Sequence, residues 1–347
     1  MTASLSVEVF IDIAMRPHEN LVSLVEATTF GSDGLQYRRL NVQYQIEQFC
    51  NPVFFHALHK GELIGVYILD KRELLIRRLS VNAYYRGVLA VDVNYQGMGV
   101  GRKLAQSAAE WMAVKAKSQP VLSYGCIDQS NRRSLHLLRS VGGTIGASLS
   151  MYMMYRQWPA DICELEALRD NHAPAVHTLA QEVYADCEVR DVSASSLPGL
   201  VLEDREGLAI CARLRVSGFQ ITAMGTMAAL GTRIFVKPFA PARKRFDPDC
   251  FRYVSFSEVL IRPGCERLWP RFVSTVLARH ECHFGALYVD PGSRLFTRLQ
   301  QAQGLTRLLH SSRGSIDVVW QSFKSADKHC ISLPAPTESV QLWPVDA

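Results

Sequence analysis

The sequence predicts an α+β protein that consists of two tandem copies of one unit. Apolar runs typical of strands alternate with helical stretches along the chain, and short turns join several of the strands into hairpins. With 347 residues the chain is too long for one ordinary core, since single domains tend to divide beyond about 250–300 residues. From Ala173 the order of predicted elements begins again. We therefore expect two domains of related architecture.

The first copy has a glycine-rich turn near its centre, with strands and helices on both sides. The predicted elements before the turn are a strand over Ser6–Ile13, a helix from Pro17, a glycine-containing connection over Phe30–Arg38, a helix over Asn41–Phe49, a hairpin of Val53–Leu58 and Leu63–Leu69, a polar stretch over Asp70–Arg78 and a strand ending at Val93. After the turn come a helix to about Lys117, a strand over Val121–Ile127, a helix through Leu135, Leu138 and Val141, and short strands over Thr144–Ala147 and Leu149–Arg156.

The second copy repeats this order in a weaker form. Its predicted elements are a helix over Val176–Tyr184, a hairpin of Leu200–Leu202 and Leu208–Val216, a Gly- and Pro-rich segment over Gly218–Asp249 with a helix around Thr226–Leu230, a strand over Phe251–Ile261, a helix over Leu268–Arg279, a strand over Phe284–Val289, a helix over Ser293–Ala302 and a hairpin over Leu308–Phe323. The predicted boundaries are residues 1–158 for the first domain, 159–172 for a linker, 173–325 for the second domain and 326–347 for a C-terminal tail.

Composition restricts the class of protein. Hydrophobic residues make up 48% of the chain and charged residues 20%, which is typical of a globular protein. No apolar run is long enough to cross a bilayer, and Met1–Asp12 lacks the basic start of a signal peptide, so we expect a cytoplasmic protein with no membrane partner. The net charge of +5 comes without a basic stripe interleaved with aromatics, which gives no clear nucleic-acid signal.

Cysteine and histidine spacing gives no indication of a metal. Nine cysteines are scattered from Cys50 to Cys330 with no C-x-x-C pair, so neither a disulfide framework nor a zinc ribbon is expected. The densest cluster, His280-Glu281-Cys282-His283, has a spacing that fits no standard zinc signature.

The glycine turn carries the strongest functional signal. An apolar run over Val88–Val93 leads to three alternating glycines, Gly97, Gly99 and Gly101, and then to an alanine-rich helical stretch. The first amides of such a helix have no partner in the chain, and the positive end of its dipole points at the loop. A strand, turn and helix of this kind bind phosphate or pyrophosphate. The spacing matches neither a Walker A motif nor a dinucleotide fingerprint.

These residues resemble a known acyl-coenzyme A signature. Gln96-x-x-Gly99-x-Gly101, preceded by Leu89-Ala90-Val91, is similar to the motif of the GCN5-related N-acetyltransferase (GNAT) superfamily. Asn131, at the start of the next helix, and the later Gly142-Gly143 fit the same pattern in the expected order. The resemblance covers residues 5–157. It implies an α+β fold with a GNAT-like central mixed, mostly antiparallel sheet flanked by helices, which the second copy would share.

The resemblance implies acetyl-CoA, or another acyl-CoA, as co-substrate, with no metal. The strand before the turn would contact the pantetheine arm, the turn would hold the pyrophosphate, and the asparagine would reach the arm from the next helix. The residues assigned to the cofactor in this way are Leu89, Ala90, Val91, Gln96, Gly97, Met98, Gly99, Val100, Gly101, Arg102 and Asn131.

The catalytic groups are not assigned. Many members of the family place a tyrosine seven residues after the asparagine as the acid for the leaving thiolate, and that position is Leu138 in this chain. Tyr124 is the weak candidate for this role, ahead of Cys126 and of His136, which helical periodicity turns away from the site. No carboxylate on the central strand is placed as a base.

The second copy is predicted to be degenerate. At the position of the phosphate loop it has Arg262–Leu268, which contains one glycine, a proline without an N–H, and the carboxylate of Glu266, which would repel a phosphate. We predict that this half no longer binds coenzyme A and instead shapes the acceptor site or a homodimer.

The leading hypothesis is therefore an N-acetyltransferase that transfers an acetyl or other acyl group to a primary amine. The acceptor is open between a small molecule and a peptide or protein amine. The alternatives are a catalytically weak or inactive acyl-CoA-binding regulatory protein, favoured by Leu138, and a structural protein that keeps only the fold.

Overall fold

The computed structural model describes residues 8–31, 35–118, 120–156, 162–193, 197–225, 246–301, 315–323 and 340–341. Within these ranges every strand belongs to one 16-stranded sheet. Most neighbouring strands are antiparallel, whereas β6–β7, β13–β14 and β10–β16, whose bounds follow, are parallel pairs. Helices flank the sheet, so the predicted α+β class with a mixed, mostly antiparallel sheet is confirmed.

The first half contains eight strands and four α-helices in its described residues. The strands are β1 (Phe10–Ala14), β2 (Phe30–Gly31), β3 (Leu35–Leu40), β4 (Pro52–His59), β5 (Glu62–Ile76), β6 (Leu79–Val91), β7 (Val121–Asp128) and β8 (Thr144–Tyr155). The helices are α1 (Leu21–Ala27), α2 (Val42–Glu47), α3 (Val100–Lys115) and α4 (Arg132–Ser140), and Val93–Tyr95 forms a 3₁₀ turn.

The second half contains eight strands and three α-helices in its described residues. The strands are β9 (Glu166–Ala167), β10 (Val189–Asp191), β11 (Gly199–Asp204), β12 (Gly207–Met224), β13 (Phe251–Ile261), β14 (Phe284–Val289), β15 (Ser315–Phe323) and β16 (Val340–Gln341). The helices are α5 (Ala173–Val183), α6 (Trp269–Arg279) and α7 (Arg294–Gln301), with 3₁₀ turns over Asp170–His172 and Glu266–Leu268.

Two stretches predicted as irregular are strands. Residues 30–38, predicted as a connection, contain β2 and most of β3, and β3 pairs with β12 of the second half. The polar stretch from Asp70 continues β5, because its polar side chains have buried partners. Arg72 donates to Asp70 at 3.0 Å and to Asp191 at 2.8 Å. These bonds pair the charged side chains with one another, so the strand can bury them.

The two short strands predicted after Gly143 are one continuous strand, β8. Ser148 does not interrupt it, since its hydroxyl donates to the carboxylate of Asp317 at 2.7 Å. In the second half, β12 extends to Met224, beyond the predicted hairpin. The helix predicted around residues 226–230 and the first part of the hairpin predicted over 308–323 lie outside the described residues; residues 315–323 form the single strand β15.

The two halves exchange strands. β15, from the second half, lies between β7 and β8 of the first half and is antiparallel to both. The last residues of β8, Ser150–Tyr155, pair in turn with β14 of the second half. Trp320 of β15 is fully buried in the core of the first half. The halves therefore complete each other's sheet, and the boundaries at 158 and 173 stay a prediction.

Three larger apolar cores lie on the faces of this sheet. One surrounds Trp269 and Phe272 of α6 in the second half. The other two lie on opposite faces of the first half, one beneath α1 and α2 and one beneath α3. Among the described helices none is long and apolar enough to traverse a bilayer. The eight cysteines in the described ranges are free thiols.

Candidate functional site

The parallel strands β6 and β7 separate halfway along their length. They pair from Ala83 with Leu122 to Tyr85 with Tyr124, and no further pair follows. Beyond Tyr85, β6 continues to Val91 while paired only with β5. The edge of β6 that faces β7 thus carries backbone groups without a strand partner over residues 86–91, and such an edge can pair with an extended ligand.

A β-bulge marks the point where the strands separate. Tyr67 of β5 faces Leu89, whereas Leu69 faces Arg86, so that Gly87 and Val88 together stand opposite one residue. A bulge bends its strand and increases the local twist. Here it turns the end of β6 away from β7 and opens the gap.

The gap leads into a cavity of about 660 Å³ between the two halves. The β6 and β7 walls are formed by backbone and side chains of residues 86–89 and 125–128. Aromatic and methionine side chains form most of the opposite wall. They are Phe30 and Tyr37 from the first half, Met151 and Met153 from β8, and Phe219, Met224, Phe246, Phe251, Tyr253, Phe284 and Tyr288 from the second half. Such a lining suits a ligand with a long apolar part.

The glycine turn lies at the open end of β6. Gly97 and Gly99 have φ of 80° and 85°, values that residues with a side chain rarely adopt. Gly99 is the N-cap of α3 and its carbonyl accepts from the amide of Lys103, so the amides of Val100, Gly101 and Arg102 have no intrahelical acceptor. The predicted strand, turn and helix are all present, and the positive end of α3 points out of the turn.

The turn and the gap are contiguous. A Cβ placed on Gly101 would lie 3.8 Å from Val91 and 4.0 Å from Leu89, and Leu89 lines the cavity. Gln96 donates its side-chain amide to the carbonyl of Val91 at 3.0 Å, which fixes the turn against the strand. Ala90 points to the other face of the sheet, into the core beneath α1 and α2.

The remaining predicted cofactor residues separate into two groups. Asn131 lines the cavity and is the N-cap of α4, where its Oδ1 accepts from the amide of Ser134 at 3.1 Å. Arg102 is exposed beside the turn and forms no ion pair with the described residues. Lys103, the neighbouring cation, donates instead to the carbonyl of Val9, which ties α3 to the chain before β1.

Comparison with sequence families gives the same assignment for this half. Residues 20–142 match the Acetyltransferase (GNAT) family. Residues 20–142 form a GNAT domain. The matched residues include the strand pair, the glycine turn and Asn131, so these parts of the site lie in the GNAT domain. No curated protein matches the sequence of the chain.

Solved structures extend the similarity to both halves. The chain is similar to Saccharomyces cerevisiae N-myristoyltransferase with bound myristoyl-CoA, with a TM-score of 0.59, 8% identity and coverage of 96% of this chain and 89% of that one. A second structure of that yeast enzyme has a TM-score of 0.60 and 8% identity, with coverage of 96% of this chain and 85% of that one. The chain is also similar to a GCN5-related glucosamine N-acetyltransferase region in a fungal multi-domain GH3 β-N-acetylglucosaminidase. That match has a TM-score of 0.54 and 12% identity, with coverage of 91% of this chain and 38% of that one. Identities this low show a shared fold, which extends over both halves of the chain.

The GNAT domain places Tyr124 away from the cavity. Its side chain is fully buried in the core beneath α1 and α2, where its hydroxyl donates to Asp191 at 2.7 Å. Burial raises its pKa well above the usual value, and the Asp191 carboxylate raises it further, although Arg72 opposes the shift. A phenol fixed on a buried carboxylate has no path to a thiolate in the gap, which argues against the acid role predicted for it.

The other weighed groups are no better placed. His136 is exposed on α4 and does not line the cavity, as its periodicity predicted. Leu138 is buried beside the gap, and a Cβ on Gly125 would touch it at 3.6 Å. Cys126 lines the cavity, but burial raises the pKa of its thiol to about 12.

Sequence reasoning missed two polar residues of the gap, Tyr67 and Arg86. Both line the cavity, and both are buried. A charged residue within the apolar context of β6 was the available signal for Arg86, since a buried guanidinium needs specific partners. Tyr67 gave no signal, because its place depends on how β5 registers with β6.

The second half repeats the strand register of the GNAT domain. β13 and β14 pair only as far as Phe256 with Leu287, and a bulge follows directly, with Cys211 facing Leu260 and Arg213 facing Ser257. Leu287 is the last residue of β14 that pairs with β13, and Tyr124 is the last residue of β7 that pairs with β6. The two residues are separated in the sequence by the same distance as Phe284 and Val121, the first residues of these strands. The internal repeat predicted from element order is therefore also present in the strand register.

Proposed function

We propose that the protein is an acyl-CoA-dependent N-acyltransferase that transfers an acyl group to a primary amine. The separation of β6 from β7 after Tyr85, next to a cavity and to the amino end of α3, is the observation that carries this proposal. It provides an unpaired strand edge for an extended amide-containing arm and free amides for a pyrophosphate at one end of that edge. Membership of an acetyltransferase family supports the same reaction.

The cofactor would lie along β6. The amides of residues 100–102 and the exposed Arg102 would hold the pyrophosphate, and the pantetheine arm would pair with the edge of residues 86–91. Asn131 would contact the arm from α4. The thioester would then lie near the bulge at Gly87, where the gap meets the cavity. Bound there, the thioester supplies an activated carbonyl for attack by an amine.

The acyl group would be longer than acetyl. The cavity of about 660 Å³ is much larger than an acetyl group requires, and its aromatic and methionine lining suits an alkyl chain. The structurally similar yeast enzyme has myristoyl-CoA bound, which supports this direction. An acetyl donor is the alternative, in which case the cavity would hold an apolar acceptor.

The acceptor amine would enter from the side of the second half, whose strands β12, β13 and β14 form the opposite wall of the cavity. Residues 1–158 would thus hold the acyl donor and residues 173–325 would shape the acceptor site. Asp128 is the one carboxylate among the described residues of the lining, so it is the group placed to take a proton from an incoming ammonium.

Calorimetric titration of the whole chain with acyl-CoA esters of two to fourteen carbons tests this proposal. We expect binding that strengthens with chain length and that is lost in Gly99→Glu and in Gly101→Glu, because a carboxylate in the turn repels the pyrophosphate. Absence of binding, or undiminished binding in both variants, contradicts the proposal. Equal affinity for all chain lengths contradicts only the long acyl group.

A panel of primary amines, with free thiol as the readout, then separates an enzyme from a binding protein. Leu138, which cannot donate a proton, is the observation that favours an acyl-CoA-binding protein without activity. Release of thiol that depends on both amine and protein supports the transferase. Tight binding without turnover on the whole panel supports the binding protein.

A further inference from the structure

Tyr67 and Arg86 stand together at the point where the gap between β6 and β7 opens. The bulge brings them onto the same face of neighbouring strands, since Tyr67 faces Leu89 and Arg86 faces Leu69. Both line the cavity, with 3% and 6% of their surface exposed. This is the place where the proposed function puts the thioester.

Arg86 spans the gap. Its guanidinium donates to the hydroxyl of Ser123 on β7, from Nε at 3.1 Å and from Nη2 at 2.9 Å, and also to the side-chain oxygen of Gln321 on β15. It forms no ion pair with any described carboxylate. Burial lowers its pKa, although Tyr67 opposes that shift, and a guanidinium stays charged in proteins. A buried cation whose partners are neutral favours negative charge that develops beside it.

The Tyr67 phenol is the group that gains from this charge. Burial raises the pKa of Tyr67, whereas the charge of Arg86 and a hydrogen bond with it lower that pKa. The phenol is therefore protonated at neutral pH, and a phenolate left after proton transfer would be stabilised by the guanidinium. An acid that is neutral in the ground state and supported after it donates is suited to general acid catalysis.

Burial also raises the pKa of two other acidic groups on the cavity, Tyr288 and Cys126. Burial raises the pKa of Tyr288 well above the usual value, and the neighbouring Tyr253, Tyr37 and Asp128 raise it further. Burial raises the pKa of the Cys126 thiol to about 12. Neither group has a cation bonded to it in the described residues.

The second copy shows that the fold does not require this pair. The residues at the same register positions of the second bulge are Cys211 in place of Tyr67 and Ser257 in place of Arg86. Both are buried, and the bulge forms without a phenol or a guanidinium. The second bulge therefore lacks the pair.

Resting on the proposed acyl transfer, we propose that Tyr67 is the acid that protonates the departing coenzyme A thiolate, with Arg86 as its positioning residue. The neutral amine forms a C–N bond with the thioester carbonyl carbon, and the C–S bond then breaks with its electron pair passing to sulfur. The Tyr67 O–H proton moves to that sulfur and gives free thiol. The phenolate regains a proton from the acylated nitrogen, so the products are amide and thiol and Tyr67 is unchanged.

The decisive experiment compares Tyr67→Phe with Tyr152→Phe in the full chain. Tyr152 is a buried tyrosine outside the cavity lining, whose hydroxyl donates to a backbone carbonyl, so it controls for loss of a buried hydroxyl. We expect Tyr67→Phe to lower kcat for thiol release from acyl-CoA by about 10²–10³, with the acyl-CoA Kd within a factor of two of wild type. Tyr152→Phe should leave kcat unchanged.

The leaving group provides a readout that a packing defect would not move. With the same acyl group on N-acetylcysteamine and on thiophenol, the aryl thiolate is the weaker base and leaves without a proton. The deficit of Tyr67→Phe should therefore persist on the alkyl thioester and shrink to less than about threefold on the aryl thioester. Arg86→Lys, a second variant that keeps the charge, should show a smaller deficit with the same dependence.

The outcomes separate this inference from the function on which it rests. A wild-type chain that binds no acyl-CoA removes both. A wild-type chain that turns over, together with an undiminished kcat in Tyr67→Phe, overturns the acid role alone. An equal loss on both leaving groups also overturns it, because that result indicates damaged packing.

Discussion

The two parallel strand pairs, β6–β7 and β13–β14, separate at equivalent positions, and the residues of the first gap line the cavity described above. In the second, the space is filled by side chains that satisfy the freed backbone. Tyr184 donates to the carbonyl of Val259 at 2.6 Å, and Arg298 donates to that of Ile261 at 3.3 Å. The bulge therefore makes the gap, whereas the side chains around it decide whether a ligand can enter.

Charge separates the two gaps as well. At the second bulge Glu258 adopts a φ of 45° and accepts from Arg190 at 3.1 Å and from Arg213 at 2.6 Å, so its charges are balanced within the protein. At the first bulge Arg86 has no carboxylate partner among the described residues. The charge of the loop after β13 is also balanced within the protein, since Arg262 forms an ion pair with Asp204 at 2.5 Å.

The largest expected effect comes from breaking the strand that both halves share. Val318 is fully buried on β15, between Cys126 of β7 and Ala147 of β8. We expect Val318→Asp to lower the free energy of unfolding by more than about 4 kcal/mol, because it buries an unpaired charge. Urea unfolding, followed by fluorescence and circular dichroism, measures this. Ser322→Asp near the end of β15 is the control, with a loss below about 1 kcal/mol.

The same measurement tests whether the halves fold as one unit. Exchanged strands predict a single transition for the whole chain, and in Val318→Asp both halves should unfold together. Two separate transitions, with only one of them shifted by the substitution, would contradict the shared sheet and support the predicted domain boundaries.

Removing the balanced charge of the second gap should have the next largest effect. Glu258→Gln leaves two half-buried guanidinium groups without a carboxylate, which we expect to cost about 3 kcal/mol of stability. Glu206→Gln is a matched control, because Glu206 is exposed and pairs with Arg262 at the surface; its loss should stay below about 1 kcal/mol. Acyl-CoA affinity should not change in either variant. Weakened binding in Glu258→Gln would show that the second gap contributes to the ligand site.

A pair of alanine substitutions compares the two loops directly. Gly99 and Gly264 have φ of 85° and 87°, and a Cβ at either meets no atom within 4 Å. Both substitutions should therefore destabilise the chain by a similar amount, about 1–2 kcal/mol. Only Gly99→Ala should weaken acyl-CoA binding, by about tenfold or more. Equal losses of affinity, measured by calorimetry, would contradict the difference between the loops.

The sequence carried enough information for the fold and for the glycine turn, because both depend on local patterns. Gly97 and Gly99 are needed where φ is positive, and that need is visible from spacing alone. The helix capped by Asn131 follows from its apolar positions and its capping residue.

The catalytic end could not be predicted, because it depends on contacts between distant segments. Arg86 meets Gln321, which is 235 residues away and reaches the site only through strand exchange. Tyr124 was misleading for the same reason: its position in β7 indicated a place near the gap, but Asp191 of the second half binds its hydroxyl on the other face of the sheet.

The smallest expected effect concerns the phenol that closes the second gap. Tyr184→Phe leaves the carbonyl of Val259 without its donor while keeping the ring in place, so we expect a loss of about 1 kcal/mol, measured by urea unfolding. Because the aromatic ring still fills the gap, the variant should gain no affinity for acyl-CoA. Calorimetry that showed a second molecule of acyl-CoA bound to Tyr184→Phe would mean that one hydroxyl keeps the second site closed. The absence of a second molecule would support closure by the whole set of buried side chains and by the balanced charge at Glu258.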